Sequence, residues 1–129
     1  REIKNRDTKP LSIIAPDKNW IENNCVVDKE VVDKYLPGPY TLIVKTKKPS
    51  VARDVNPIDE TLGVRIPKHW FREFIQEAGI PFVTTSVNLA GEKYMESMED
   101  VKADILDQVD YVVYEGEKRG EQSEKISLL

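Results

Sequence analysis

The sequence predicts an α/β fold in which helices flank a twisted mixed β-sheet. Short apolar or alternating runs, typical of strands, follow one another along the chain with helical segments between them. Several connections are too short for a parallel crossover, so some strand pairs should be antiparallel. With 129 residues, 40% of them apolar and 33% charged, the chain has the size and composition of a single domain, 1–129.

The first half of the chain is predicted to contain two strands and two complete helices. In order, these elements are the end of a helix at 1–6, a buried strand at 11–15, a helix at 17–24, a helix that Asp28 caps and Pro37 ends, and a strand at 40–45. The stretch 46–60 contains two prolines and has no periodicity, which predicts a surface loop with one short helical turn.

The second half begins with a strand of strict alternation. Leu62, Val64 and Ile66 share one face, so Arg65 is predicted to point away from the apolar side. A helix at 68–78 should place Trp70, Phe71, Phe74, Ile75 and Ala78 on one apolar face and end at Gly79.

The remaining elements are a strand, a helix, a strand and a tail. The strand at 81–85 precedes a helix at 97–109, which a capping box of Ser97 and Asp100 should open. The run 111–114 predicts a last strand, and 115–129 is predicted to be a polar, mobile tail.

Composition excludes several classes of protein. One cysteine, Cys25, and one histidine, His69, leave no structural zinc site and no internal disulfide, which fits a reducing cytoplasm. A net charge of -4 and a pI near 5.1 disfavour a protein that mainly grips nucleic-acid phosphates. We expect no membrane partner, because no apolar run is long enough to span a bilayer.

The segment 81–91 carries the sharpest chemical pattern. An apolar strand there delivers Ser86 and Asn88 to its C-terminal end, where ligands bind in open α/β sheets. Two residues apart on extended backbone, their side chains should face the same side and could bind phosphate or sugar oxygens. The alternative, which the residue types alone favour, is that both only cap a turn.

Three cationic residues are further candidates. Lys4 and Arg6 would suit a polyphosphate if the helix has ended by Arg6, and a solvated charge run is the alternative. Arg65 needs a carboxylate, a phosphate or a solvent opening, so an ion pair competes with a ligand contact. His69 is expected to be a surface or capping residue, and no glycine-rich phosphate loop is present.

Five short motifs, taken in order, resemble the YrdC family. They are Lys4-x-Arg6, Lys9-Pro10-Leu11, Leu36-Pro37-Gly38-Pro39-Tyr40-Thr41-Leu42, Gly63-Val64-Arg65-Ile66-Pro67 and Thr85-Ser86-x-Asn88-Leu89-x-Gly91. Each is short, but five in this order are specific. The resemblance runs to about Gly91 and implies the YrdC-like form of the mixed sheet flanked by helices.

The resemblance also implies an activity. The resemblance implies an enzyme that condenses L-threonine, bicarbonate and ATP, with Mg²⁺, to threonylcarbamoyl-AMP and pyrophosphate. A transfer complex then uses the threonylcarbamoyl-AMP to form threonylcarbamoyladenosine at position 37 of tRNA. By matching positions, the ATP-binding residues would be Lys4, Arg6, Thr61, Ser86 and Asn88, and the threonine-binding residues Thr84, Arg65 and Ser123. Such chemistry depends on positioning and charge neutralisation, so no catalytic nucleophile and no resident metal are expected.

The chain departs from the family pattern in three places. The family's segment upstream of Lys-x-Arg does not occur within 1–129, so we expect the chain to be truncated at its N-terminus. Glu92-Lys93-Tyr94 replaces the usual continuation after Gly91, and the later Pro-Ser-Thr motif is only echoed around Ser123.

These departures keep two alternative functions open. The first is a non-catalytic accessory module of the same fold that binds nucleotide, tRNA or double-stranded RNA. The second is a carbamoyl-transfer domain like that of hydrogenase maturation proteins.

Overall fold

The structure, a computed structural model, describes residues 1–118, 120 and 122–129. The chain forms two compact units, which we describe separately. Unit 1 contains 1–9 and 85–121, and unit 2 contains 10–84 and 122–129.

All strands of the described residues lie in unit 2. Its elements are β1 (Ser12–Ile14), α1 (Lys18–Asn24), β2 (Cys25–Val26), α2 (Lys29–Tyr35), β3 (Tyr40–Thr46), β4 (Thr61–Arg65), α3 (Phe71–Ala78), β5 (Phe82–Thr84) and β6 (Glu124–Ser127). Unit 1 contains two 3₁₀ turns, Glu2–Lys4 and Met98–Asp100, and the short helix α4 (Ala103–Leu106). No helix among the described residues is long and apolar enough to cross a membrane.

The sheet is mixed, as predicted. Its strand order is β2-β3-β4-β1-β5, and β6 pairs with β3. The β1–β4 and β3–β6 pairs are parallel, whereas the other three pairs are antiparallel. The predicted α/β class with antiparallel pairs is therefore confirmed.

One face of the sheet forms the core of unit 2. Residues that pair across strands share a face, and this face carries Ile13, Leu42, Val44, Leu62 and Val64, all at most 1% exposed. They cluster with apolar residues of α1 and α2, so the alternation predicted for β4 is confirmed.

The opposite face carries polar residues beside the apolar Ile14, Ile43 and Phe82. Gly63 pairs with Ser12, which in turn pairs with Thr84, and Arg65 lies two residues beyond Gly63 on the same side. A Cβ atom on Gly63 would lie 2.6 Å from Ser12 Oγ and 3.2 Å from Thr41 Cγ2. Glycine at position 63 thus leaves room for the side chains of Ser12 and Thr41 on the two neighbouring strands. We call this surface, formed by Ser12, Thr41, Gly63, Arg65 and Thr84, the polar face.

Replacing Gly63 by alanine should destabilise unit 2 by about 1–3 kcal/mol, because the added methyl group would crowd Ser12 and Thr41. Chemical denaturation of the protein would measure this loss. Gly120→Ala is the matched control, since nothing lies within 4 Å of its Cβ position and its φ angle lies outside the left-handed region. Equal free energies of unfolding for the two variants would contradict the crowding argument.

The helix ends follow local sequence signals. Asp17 caps α1 by accepting a hydrogen bond from Trp20 N at 2.7 Å, and Gly79 ends α3 in the left-handed region at φ 71°. Asp28 occupies the N-cap position of α2 as predicted, but its side chain makes no capping bond. Within 46–60 no helix forms, but Val55 N donates to the carbonyl oxygen of Ala52 at 3.0 Å and closes one turn.

Helix α3 begins at Phe71, three residues later than predicted. Only Ile75 of its apolar face is buried, whereas Trp70 is 46% and Phe74 59% exposed. Their rings pack mainly against one another and Phe71, so the predicted apolar face forms an exposed aromatic cluster.

The single helix predicted at 97–109 is wrong. The capping box of Ser97 and Asp100 is present, but it opens only a 3₁₀ turn. Val101 and Lys102 have extended backbone, which interrupts the helix before α4 begins.

The strand predicted at 111–114 is also wrong. Tyr111 is 91% exposed and Tyr114 72%, and the segment pairs with none of the described strands. A β-branched run forms a strand only where a neighbouring ladder can accept its backbone, and unit 1 has no strand among its described residues.

The predicted polar tail, 115–129, contains one regular element. Residues 124–127 form β6, which enters the sheet of unit 2 beside β3. Arg119 and Glu121 of this tail lie outside the described residues.

Candidate functional site

Unit 1 encloses the ammonium group of Lys4. Lys4 is 8% exposed, and its Nζ donates hydrogen bonds to Thr85 Oγ1 at 3.0 Å, to the carbonyl oxygen of Ser86 and to Asn88 Oδ1 at 3.3 Å. These three acceptors match the three N–H bonds of a protonated lysine. Two predicted motifs, some 80 residues apart, are therefore brought together.

The loop after β5 presents its polar side chains to one side. Ser86 Oγ donates to Asn88 Oδ1, which confirms that the two side chains face the same way. Asn88 Nδ2 donates to the carbonyl oxygens of Leu89 and Glu92, so Asn88 also closes the turn. The turn-capping role and the exposed Ser86 hydroxyl exist together.

The helical turn ends before Arg6, as a joint role of Lys4 and Arg6 requires. Asn5 adopts the left-handed conformation with φ 52°, which asparagine tolerates better than most residues. Arg6 Nε donates to the carbonyl oxygen of Lys9 at 3.1 Å. Burial and, secondarily, the charge of Arg6 lower the pKa of Lys4, so the two cations belong to one electrostatic environment.

An apolar cavity of about 410 Å³ adjoins Lys4 in unit 1. Its polar wall contains Lys4, Thr85 and Ser86, and its apolar wall contains the stripe predicted for the second-half helix, namely Met98, Val101, Ile105 and Val109. The stripe therefore lines one surface although the helix is interrupted. A cavity with one cationic wall and one apolar wall suits a ligand with an anionic group and a flat apolar body.

Unit 2 places Arg65 on the polar face. Its Nε atom is buried and has no hydrogen-bond partner among the described residues, and burial lowers its pKa. The sequence left an ion pair and a ligand contact equally open, and no described carboxylate pairs with Arg65. A half-buried guanidinium whose buried Nε is an unused donor favours an external anion.

Thr84 lies on the same face as Arg65, but two residues away from it along β1. It pairs with Ser12, whereas Arg65 pairs with Ile14, and Thr84 Oγ1 is 3.5 Å from the carbonyl oxygen of Ser12.

Ser123 enters the polar face just before β6. Its Oγ lies 2.5 Å from Thr41 Oγ1 on β3.

Thr61 belongs to a closed network at the start of β4. Its hydroxyl donates to Asp59 Oδ1 at 2.5 Å and accepts from Asn56 Nδ2 at 3.0 Å. Hydrogen bonds from the Thr61 hydroxyl, from Thr61 N and from Asn56 Nδ2 to Asp59 lower the pKa of Asp59. Thr61, which the resemblance assigns to ATP binding, is thus held in place by Asn56 and Asp59, two residues that the sequence analysis did not single out.

Other groups of the sequence analysis take structural roles. Burial raises the pKa of Cys25 to about 11, which makes its thiol unreactive. His69 is exposed and accepts a hydrogen bond from Phe71 N at 3.1 Å, as expected for a capping histidine. Nowhere in the part of the chain that the structure describes do three or more His, Cys, Asp or Glu side chains gather around a possible metal position.

Sequence reasoning missed four contributors: Thr41, Asn56, Asp59 and Thr85. The Asn-Pro pair at Asn56 predicts a turn, so that signal was available. Thr41 and Thr85 lie within motifs, but only folding shows which side chain each one meets.

Comparison with known proteins places the chain among relatives of this fold. The Sua5/YciO/YrdC family model, whose description reads "Telomere recombination", matches residues 1–128. A Methanocaldococcus jannaschii protein provisionally named threonylcarbamoyl-AMP synthase is 40% identical over 116 residues, which cover 86% of this chain and 53% of that protein. The Escherichia coli protein YciO is 34% identical over 85% of this chain and 56% of its own length.

Solved structures of two relatives share the fold of this chain. The crystal structure of P. abyssi Sua5 complexed with L-threonine has a TM-score of 0.83 at 26% identity and covers 98% of this chain and 39% of that one. The structure of E. coli YciO has a TM-score of 0.80 at 25% identity. This chain spans about half the length of the curated relatives that it matches. It belongs to the Sua5/YciO/YrdC family.

Proposed function

We propose that the chain takes part in the activity of a threonylcarbamoyl-AMP synthase. ATP would bind at Lys4 and in the cavity that adjoins it, and threonine would bind at the polar face. Homologues that carry the name of this synthase support the activity.

The observation that carries the proposal is the construction of unit 1. Lys4 and Ser86 line the same cavity as Met98, Val101 and Ile105. A nucleotide has the matching distribution, with an anionic phosphate chain and an apolar base. To bind a phosphate, Lys4 would exchange one of its three acceptors for a phosphate oxygen, which gives a stronger, charge-assisted bond. Mg²⁺ would enter with ATP as part of the substrate.

The threonine part rests on Arg65. A guanidinium can bind a carboxylate through two parallel hydrogen bonds, and the unpaired Nε of Arg65 is one of its donors. Thr84 and Ser123 add hydroxyl groups to the same unit. The P. abyssi relative in complex with L-threonine supports this ligand.

The reaction needs little covalent help from the protein. The threonine amine combines with bicarbonate to a carbamate, with loss of water. A carbamate oxygen then forms a bond to the α-phosphorus of ATP while the bond to pyrophosphate breaks. Lys4 and Arg6 would neutralise phosphate charge, and Arg65 would hold threonine by its carboxylate. Positioning and charge neutralisation of this kind account for most of the catalysis in phosphoryl transfer.

The test is pyrophosphate release by the full-length protein. We expect release only when ATP, L-threonine and bicarbonate are all present, with threonylcarbamoyl-AMP detected by mass spectrometry. Omission of any one substrate should reduce the rate to background. Release that does not depend on threonine, or no release despite measured binding of ATP and threonine, would contradict the proposal.

A second candidate is a nucleotide-binding module that does not turn over. It is favoured because all three N–H bonds of the Lys4 ammonium already have acceptors within unit 1, as they would in a purely structural lysine. Contact with tRNA or double-stranded RNA belongs to this candidate, and filter binding across salt concentrations would detect it.

A further inference from the structure

Thr41 is a buried hydroxyl residue without an assigned role. It is 2% exposed, and among the described residues it is the only buried polar side chain within a strand. Its Oγ1 has one hydrogen-bond partner in that part of the chain, Ser123 Oγ at 2.5 Å. The pair joins β3 to the residue that precedes β6.

Burial decides which hydroxyl is the donor. Two hydroxyl groups share one hydrogen bond, so one of them keeps a hydrogen atom for another acceptor. Among the described residues Thr41 has no other acceptor, and an unused buried donor is unfavourable. Ser123 is partly exposed, so it can direct its hydrogen outward. Thr41 therefore donates to Ser123, and the Ser123 hydroxyl remains free to donate.

The free donor lies on the polar face. Thr41 alternates with Leu42 of the core face, so its side chain points to the opposite side, and Leu42 pairs with Val64, the neighbour of Arg65. The contact that a Cβ atom on Gly63 would make with Thr41 Cγ2, at 3.2 Å, places Thr41 beside Gly63. Ser123 and the guanidinium of Arg65 thus contribute donors to one surface of unit 2.

We infer that Thr41 is a positioning residue that fixes the Ser123 hydroxyl as a hydrogen-bond donor to an oxygen atom of the bound amino acid. This inference rests on the proposed function, because it takes threonine as the ligand of the polar face. Thr41 itself would not touch the ligand.

The test compares Thr41→Val, which keeps the shape of the side chain but removes the hydroxyl, with Thr41→Ser, which keeps the hydroxyl. Isothermal titration of the full-length protein with L-threonine should show an affinity about fivefold lower for Thr41→Val and within about twofold of the unmodified protein for Thr41→Ser. The affinity for ATP should stay unchanged in both variants. Thr46→Val removes a hydroxyl from the same strand outside the pair and should bind threonine normally.

A double-mutant cycle separates positioning from general damage. Ser123→Ala should weaken threonine binding about as much as Thr41→Val, and the double variant should be no weaker than Ser123→Ala alone. Additive losses, or normal threonine binding by Thr41→Val, would overturn the inference while leaving the proposed function intact. Ser123→Ala keeps the test decisive if Thr41→Val does not fold, because normal threonine binding by Ser123→Ala would also overturn the inference. If the unmodified protein binds no threonine, the proposed function and the inference fall together.

Discussion

Replacing Lys4 by methionine is expected to lower the affinity of the full-length protein for ATP by about 10- to 100-fold, because one charge-assisted hydrogen bond to a phosphate is lost. Methionine keeps the buried apolar stem but removes the ammonium that meets Thr85, Ser86 and Asn88. Stability should fall by roughly 1–2 kcal/mol, because these acceptors are partly exposed and water can replace the lost bonds. Titration with ATP and Mg²⁺ and chemical denaturation measure the two effects.

Two further variants show whether the loss is specific. Lys102→Met removes an exposed lysine from the same unit and should change neither ATP affinity nor stability. Ser86→Ala removes an exposed hydroxyl, so stability should stay within about 0.5 kcal/mol while ATP affinity falls several-fold. A Lys4→Met protein that is less stable but binds ATP normally would show that Lys4 only ties the loop to the N-terminal turn.

The sheet of unit 2 could be predicted because local pattern and tertiary environment agree there. Alternation in 62–66 identified both the buried face and the outward direction of Arg65, and Gly79 and Asp17 marked helix ends by their own chemistry. These signals depend on few neighbours, so they could be recognised in the sequence.

Unit 1 could not be predicted equally well. The periodicity of Met98, Val101, Ile105 and Val109 correctly grouped them on one surface, but the surface lines a cavity and is not the face of one helix. The run at 111–114 has strand propensity without a partner strand. In both places the element type depends on what packs opposite, which propensity does not encode.

The candidate site divides in the same way. Residue types and motifs selected Lys4, Ser86, Asn88 and Arg65, but the hydrogen-bond partners of these residues depend on contacts that are distant in sequence. The bond between Lys4 and Thr85 spans 81 residues, and the bond between Thr41 and Ser123 spans 82. Partnerships of this kind can be read only from the fold.

Replacing Arg65 by methionine should reduce threonine affinity by at least about 100-fold without reducing stability. The Nε of this partly buried guanidinium loses hydration on folding and gains no compensating bond, so its removal should leave the free energy of unfolding unchanged or raise it. Residues that bind a ligand often lower the stability of the protein, so their replacement weakens binding but can stabilise the fold. Titration with L-threonine and chemical denaturation of the full-length protein measure both quantities.

The sign of the stability change separates the two roles that the sequence left open for Arg65. If Arg65 served a structural ion pair, its loss would strand a buried carboxylate and destabilise the protein by roughly 3–5 kcal/mol. No described carboxylate stands in that relation to it, so we expect the opposite sign. Arg72→Met, on α3 of the same unit, controls for the loss of one arginine charge. A strongly destabilised Arg65→Met protein that still binds threonine would assign Arg65 to the fold and not to the ligand.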